Sequence, residues 1–180
     1  LQNIDIPPAV IEIQILNNMI LGNKEDGIQL VDHAGEPQDT NRRFLITGNL
    51  IANNNKAGMG LMGNANTLED YSGADIVEAV RVFNNTFYGN DYGISGGDNL
   101  VAFNNIIVNS RNIGVWKVQG PAGANSVVAY TLFHNNSRLE VDQTTIGPVI
   151  LTGLDQLFVA APNPGPDGAW ETVDDDFSGL

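Results

Sequence analysis

The side chains best suited to carbohydrate chemistry lie around Trp116. Lys117 follows it directly, and Arg111 lies a few residues before it. An exposed indole can stack on the apolar face of a sugar ring, and a nearby cation can neutralise a sugar carboxylate. The alternative is that Trp116 packs beneath a neighbouring loop. The segment therefore has two interpretations, a sugar-stacking platform and a structural aromatic residue.

Three basic residues are candidates for acid–base chemistry on a uronic-acid polymer. Such a reaction needs a base for the proton α to the carboxylate and a cation to stabilise the charge that develops. We expect the catalytic residues to be Lys117, Arg81 and Arg111. The alternative for each is a solvated surface cation. Hydrolysis would instead need two carboxylates at a defined separation, and no pair of acids is singled out by the sequence.

An acidic tail offers oxygen ligands of the kind that Ca²⁺ prefers. Its candidate metal ligands are Asp167, Asp174, Asp175 and Asp176. Their spacing is not that of an EF-hand, and the alternative is a solvated acidic turn in a terminal cap. Ca²⁺ is the one cofactor that the sequence predicts. His33 and His134 stand apart from other metal ligands and nucleophiles, so neither predicts a metal or Ser-His site.

A repeat must position these residues, because one pattern recurs along the chain. Its clearest copy, 80–94, holds a short apolar strand, an Asn pair, a second strand, another Asn and Gly-Ile. The key asparagines of four copies are separated by 31, 36 and 20 residues, namely Asn18, Asn49, Asn85 and Asn105. A degraded fifth copy ends near Asn136. A unit of about 20 residues therefore repeats, with insertions.

Each copy favours short strands joined by tight bends, because Val, Ile, Phe and Thr runs are broken by Asn and Gly. Apolar residues show no helical period. Such a unit cannot bury its apolar face alone, so successive coils must stack. Stacking predicts one inward row of Ile20, Ile51, Phe87, Ile107 and Phe133, and a second of Ile28, Met59, Ile94 and Val115. It also predicts a hydrogen-bonded ladder of Asn18, Asn49, Asn85 and Asn105.

The repeat, written loosely as v-x-i-x-N-N-x-f-x-x-N-x-x-G-I, resembles that of the right-handed parallel β-helix, or pectin-lyase-like fold, over 11–137. The resemblance implies an all-β solenoid of about five coils over 1–144, with an irregular C-terminal cap and acidic tail over 145–180. A leucine-rich-repeat solenoid is the alternative, but the spaced Leu pattern that it needs is missing. The fold hosts lyases, hydrolases, epimerases, phage tailspikes and adhesins, so it does not fix a function.

Three long links occupy the same place in the repeat, after the Gly-Ile strand. They are 32–42, 63–79 and 119–125. Equal positions in stacked coils project from one edge, and insertions on one edge of a solenoid build a binding surface. We expect the substrate-binding residues of this edge to be Trp116, Ser95, Asp98 and Tyr71.

The resemblance leaves two functions open. In β-helix lyases, Lys, Arg and Ca²⁺ abstract the proton and neutralise the carboxylate, which favours a protein that binds a polysaccharide and cleaves it by β-elimination. The motifs of polygalacturonase-type hydrolases and alginate epimerases are absent. The segment 154–159 and the tail are similar to the endings of bacterial β-helix surface proteins, which favours a noncatalytic structural or adhesin module within a longer polypeptide. Either function places the protein outside the cell or on a bacterial cell surface.

Charge and composition narrow the partners. Eight Lys and Arg stand against 21 Asp and Glu, giving a net charge of −13. This argues against nucleic acid or an anionic membrane as partner, and against a highly anionic polymer unless the basic residues gather in one place. An apolar fraction of 42% indicates a folded chain. No apolar run is long enough to cross a membrane, so membrane insertion is not expected.

Overall fold

The computed structural model describes residues 9–31, 41–62, 71, 76, 78–97, 99–117, 126–142, 151–153, 160, 162–169 and 175–179. In this part of the chain all regular secondary structure consists of β-strands, so the protein is all-β. No helix of the described part is long and apolar enough to span a membrane.

The strands form three sheets, which we call A, B and C. Sheet A contains β1 (Ile11–Leu16), β4 (Arg42–Thr47), β7 (Ala79–Phe83), β10 (Leu100–Phe103) and β13 (Val127–Ala129). Sheet B contains β2 (Met19–Leu21), β5 (Leu50–Ala52), β8 (Thr86–Tyr88), β11 (Ile106–Val108), β14 (Leu132–His134) and β16 (Leu151–Thr152). Sheet C contains β3 (Ile28–Val31), β6 (Ala57–Met62), β9 (Tyr92–Ser95), β12 (Ile113–Trp116) and β15 (Leu139–Asp142).

Every strand pair is parallel, and the chain visits the sheets in the fixed order A, B, C. One such visit to all three sheets is a coil, and each coil stacks on the one before it, from β1–β2–β3 to β13–β14–β15. The predicted parallel β-helix is confirmed. Its right hand and its number of coils stay predictions.

Both predicted inward rows are confirmed by the strand register. In sheet B, Ile51 pairs with Phe87, and Phe87 pairs with Ile107. In sheet C, Met59 pairs with Ile94. All five side chains are 0% exposed and belong to one continuous apolar core. The core therefore follows the stack axis, as expected for units that bury their apolar faces only against each other.

The A–B corner carries the predicted asparagine ladder. Asn85 Oδ1 accepts hydrogen bonds from the backbone N and the Nδ2 of Asn49, at 3.0 and 2.9 Å. Asn85 Nδ2 donates to Asn105 Oδ1 at 3.1 Å and to Ile46 O at 2.9 Å. The residue before each ladder position has a left-handed backbone, as at Asn84 with a φ of 55°. Asn tolerates this conformation better than most residues, which explains the Asn pairs.

A second ladder, which the sequence analysis did not predict, lines the B–C corner. Asn23 donates its backbone N and Nδ2 to Asn54 Oδ1, and Asn54 does the same to Asn90 Oδ1, at 2.8 to 3.0 Å. These are the second asparagines of the repeat. The two ladders satisfy corner amides that would otherwise be buried without partners.

The glycine of each Gly-Ile pair lets neighbouring coils approach. A Cβ on Gly93 would lie 2.5 Å from both Gly114 O and Ile107 Cγ2, closer than a side chain allows. Gly58 meets the next coil in the same way. The link after each Gly-Ile strand joins sheet C to sheet A. Most residues of the three long links lie outside the described part, so their clustering on one edge stays a prediction.

Candidate functional site

Three aromatic rings pack together on the outer side of sheet C. The rings of Tyr92 and Trp116 are stacked, with centroids 4.8 Å apart and planes 13° apart. Tyr71 meets both rings edge-on, at centroid distances of 5.9 and 6.5 Å. Tyr71 is buried, whereas Tyr92 and Trp116 are half-buried. We call these three residues the aromatic face.

Strand alternation places Trp116 on this face. In β12 the side chain of Val115 points into the core, so the next residue points outward. Trp116 is in register with Ser95 in β9 and with Asp142 in β15. Trp116 therefore combines features of both interpretations. The indole packs on Tyr92, as a structural aromatic residue would, and it keeps contact with solvent, as a sugar-stacking platform must.

Lys117 lies directly against the aromatic face. Its Nζ is 4.2 Å from the centroid of the Trp116 ring, within the range of a cation–π contact. Its backbone is left-handed, with a φ of 52°, and its N donates to Asp142 O at 3.3 Å. This backbone turns the chain out of sheet C and holds the ammonium group over the indole.

Asp26 anchors Tyr71 from the first coil. Its Oδ1 accepts hydrogen bonds from the Tyr71 hydroxyl at 2.5 Å and from the Ala57 N at 2.9 Å, and Asp26 as a residue is 8% exposed. A Cβ on Gly60 would overlap Asp26 Oδ2, so only glycine leaves room for this carboxylate. The Asp26–Tyr71 bond therefore fixes one ring of the aromatic face to the body of sheet C.

Ser95 lies under this surface. It is in register between Gly60 and Trp116, it is 0% exposed, and its Oγ has no hydrogen-bond partner within the described residues. A ligand could contact this hydroxyl only if the residues above it moved. Ser95 therefore belongs to the site by position, and its predicted role in substrate binding stays a prediction.

The structure does not bring the three candidate catalytic cations together. Arg111 lies before β12 and Lys117 after it, so a strand about 13 Å long separates them. Arg111 donates to Gly89 O and to Asn54 O, both at 2.8 Å. Arg81 is exposed on the outer side of sheet A, in register with Val101. Of the three, only Lys117 lies at the aromatic face.

Half of the eight cationic residues lie along the B–C corner. We call this set the basic corner: Lys24, Lys56, Arg111 and Arg138. Asp91 lies among them, and burial raises the pKa of its carboxyl despite the opposing effect of Arg111 and Lys56. The net charge argues against binding of an anionic polymer unless the basic residues gather in one place. The basic corner meets this condition in part.

Hydrogen bonds connect the basic corner to the aromatic face. Arg138 Nη1 donates to Asn112 Oδ1 at 3.0 Å, and Asn112 Nδ2 donates to the Tyr92 hydroxyl oxygen at 2.8 Å. Burial and the nearby Asp91 carboxylate raise the pKa of Tyr92, so the phenol keeps its proton at neutral pH. No acceptor within the described residues receives this proton, so Tyr92 can donate it to a ligand.

The structure describes the acidic tail only in part, and Asp174 lies outside the described residues. Asp98, a predicted substrate-binding residue, also lies outside them. Asp167 Oδ1 accepts the Ala169 N, and Asp176 Oδ1 accepts the Ser178 N, each at 2.8 Å. Hydrogen bonds from the side chain and from the backbone N of Ser178 lower the pKa of Asp176. The described part of the chain holds no group of three potential metal ligands, and the Ca²⁺ site stays a prediction.

Sequence reasoning missed Asp26, Tyr92 and Asn112. A signal for the first two was present, because each directly precedes the Gly-Ile pair of its copy. Stacking places these positions in one row, and the pairing of Tyr92 with Ala57 and Ile113 shows that row. Asn112 has no such signal, since its role depends on a hydrogen bond between two coils.

No protein-family model matches this chain, and no curated protein or solved structure shows significant similarity to it.

Proposed function

We propose that this protein is an extracellular, pectin-lyase-like β-helix that binds a polysaccharide at the aromatic face. The observation that carries the proposal is the Tyr92–Trp116 stack with the Lys117 ammonium over the indole. Aromatic rings at a solvent boundary offer apolar area for the C–H faces of sugars, and their polar groups offer hydrogen bonds. The face combines both features on a rigid sheet.

A rigid support favours binding, because little freedom is lost when a ligand docks. Tyr71 is held by Asp26, Tyr92 by Asn112, and Trp116 by its register in sheet C. The Tyr92 hydroxyl and the Lys117 ammonium supply donors for sugar hydroxyl or carboxylate oxygens. A chain-like ligand could extend along the stack axis, since the face spans several coils.

Cleavage by β-elimination is a narrower proposal within the same class. Lys117 would be the base in its neutral amine form, because it is the one predicted catalytic residue beside the rings. Arg111 is engaged by two carbonyl oxygens and Arg81 lies on another sheet, so neither supports Lys117 from its present position. Binding is therefore better supported than cleavage. Ca²⁺ held by the acidic tail would be an additional component of either activity.

The second candidate function is a noncatalytic structural or adhesin module of a bacterial surface protein. The exposed apolar side chains of the first coil favour it, because they suit a stalk that continues into further structure. In this case the aromatic face would be a packing cluster without a saccharide ligand.

The test compares two aromatic positions of matched character. Trp116→Ala should weaken binding to a responsive polysaccharide about fivefold or more, since stacking of a ring on an aromatic side chain contributes on the order of 1–3 kcal/mol in the measured case of nucleobases. Phe103→Ala is the control, because Phe103 belongs to another stacked pair, with Phe83, on the outer side of sheet A. Affinity electrophoresis in gels containing neutral or uronic-acid polysaccharides measures both variants.

Equal retention of the wild type and Trp116→Ala on every polymer, with both folded, would contradict the proposal. A loss of polysaccharide binding in Phe103→Ala alone would place the binding site on sheet A. The same polymers, read by absorbance near 235 nm with and without Ca²⁺, test for the unsaturated product of β-elimination.

A further inference from the structure

No described residue covers the N-terminal end of the coil stack, which we call the open end. The edge strands at this end are β1, β2 and β3, one in each sheet. Most of the exposed large apolar side chains in the described part of the chain belong to this coil, namely Val10, Ile11, Ile13, Leu16, Met19 and Val31. Exposed apolar groups beside unpaired strand edges promote association with another chain segment.

The opposite end of the stack is covered. The last coil buries Val128 and Phe133 completely, at 0% exposure, whereas Ile13 in the first coil is 37% exposed. At the C-terminal end β16 adds to sheet B by pairing with β14. The inward rows of apolar side chains are therefore buried at the C-terminal end of the stack and partly exposed at the N-terminal end.

Both asparagine ladders also stop unfinished at the open end. Within the stack, each ladder Oδ1 accepts the backbone N and Nδ2 of the asparagine one coil earlier, as Asn49 does from Asn18 and Asn54 from Asn23. Within the described residues no donor reaches the Oδ1 of Asn18 or of Asn23. These two acceptors are separated by the same five positions as Asn85 and Asn90.

The edge of β1 also presents backbone N–H and C=O groups toward the N-terminal end of the stack. Ile11 N and Asn17 N both donate to the second coil. Because successive residues of a strand direct their backbone groups to opposite sides, the groups of Gln14 and Leu16 point away from the second coil. A parallel strand would pair with them.

We propose that this end is a docking face for one further coil of the same repeat, which would add one parallel strand to each sheet. A second copy fits less well. Stacked head to tail, it would meet β2 with β16 in place of a full coil. Related by a two-fold axis, it would present its own Asn18 and Asn23 Oδ1 atoms at the contact, and these acceptors cannot supply the donors that the two ladders lack.

The experiment adds such a coil to the intact fold. A copy of residues 80–99 replaces residues 1–12, because Val80 is in register with Phe44 and Phe44 with Ile13. The copies of Asn85 and Asn90 then face Asn18 and Asn23. The control carries the same insertion with Val82→Asp and Phe87→Asp in the added copy, which keeps its length and removes its core contacts.

We expect the added coil to raise the Tm by about 5 °C or more over both the unmodified chain and the control. The amides of Gln14 and Leu16 should exchange with deuterium far more slowly than in the unmodified chain. No gain over the control would overturn the proposal. So would a dimeric unmodified chain, measured by sedimentation, whose Tm rises with concentration and equals that of the extended chain. This outcome does not depend on saccharide binding.

Discussion

Two local features bring Trp116, Lys117 and Tyr92 together. They are the alternation of side chains along a β-strand and the left-handed backbone of one residue. Alternation turns Trp116 outward from β12, and the backbone of Lys117 returns its ammonium group to the indole. The first relation could be predicted from the sequence, because Gly-Ile fixes the inward position. The second could not, since a positive φ at Lys is rare. Arg111 shows the same limit, as its carbonyl partners lie in two other coils.

Asp91 provides a prediction at the residue scale. Burial raises its pKa in the folded protein, so the ionised carboxylate destabilises the fold relative to the protonated form. Asp91→Asn should therefore increase stability above the folded pKa. The gain should vanish as the pH falls below the ordinary value near 3.8, where both states are protonated. Urea unfolding at neutral pH and near pH 3 measures the difference, and an equal gain at both pH values would contradict this explanation.

The strands and turns were largely predictable, because each is encoded within a few residues. Asn pairs mark the A–B corner and the inward rows follow Ile and Phe, as the register confirms. The ladder at the B–C corner was not predicted, although Asn23, Asn54 and Asn90 were visible in the repeat. Its recognition requires knowing that the second strand is only three residues long, which brings that Asn to a corner rather than to a sheet face.

A prediction at the scale of these elements compares two rungs of one ladder. Asn85 is 1% exposed and its side chain bonds to the coils on both sides. Asn85→Ala should lower the free energy of unfolding by about 3 kcal/mol, because several buried partners lose their bonds.

Asn18→Ala is the matched control. Its side chain is exposed, and among the described residues its Nδ2 donates only to Leu16 O and Asn49 Oδ1, so the loss should be under about 1 kcal/mol. Equal losses for the two variants in chemical denaturation would show that the ladder does not contribute through burial.

For the whole molecule, the parallel β-helix explains why chemistry and structure occupy different parts of the surface. The corners hold the asparagine ladders and the Arg111 contacts, whereas the outer side of sheet C carries the aromatic face. Stacking also explains the bare first coil, because each coil is stabilised by its neighbours and an end without one stays exposed. The net charge of −13 is distributed unevenly, with half of the cations along the B–C corner.

The most direct test of the central claim is a fluorescence titration of Trp116. The chain has two tryptophans, so Trp170→Phe leaves Trp116 as the only indole. If the aromatic face binds a polysaccharide, a polymer that the protein retains in affinity gels should change the Trp116 emission saturably, with the same midpoint. Retention of that polymer with no change in Trp116 emission at any concentration would contradict the claim and place the binding elsewhere.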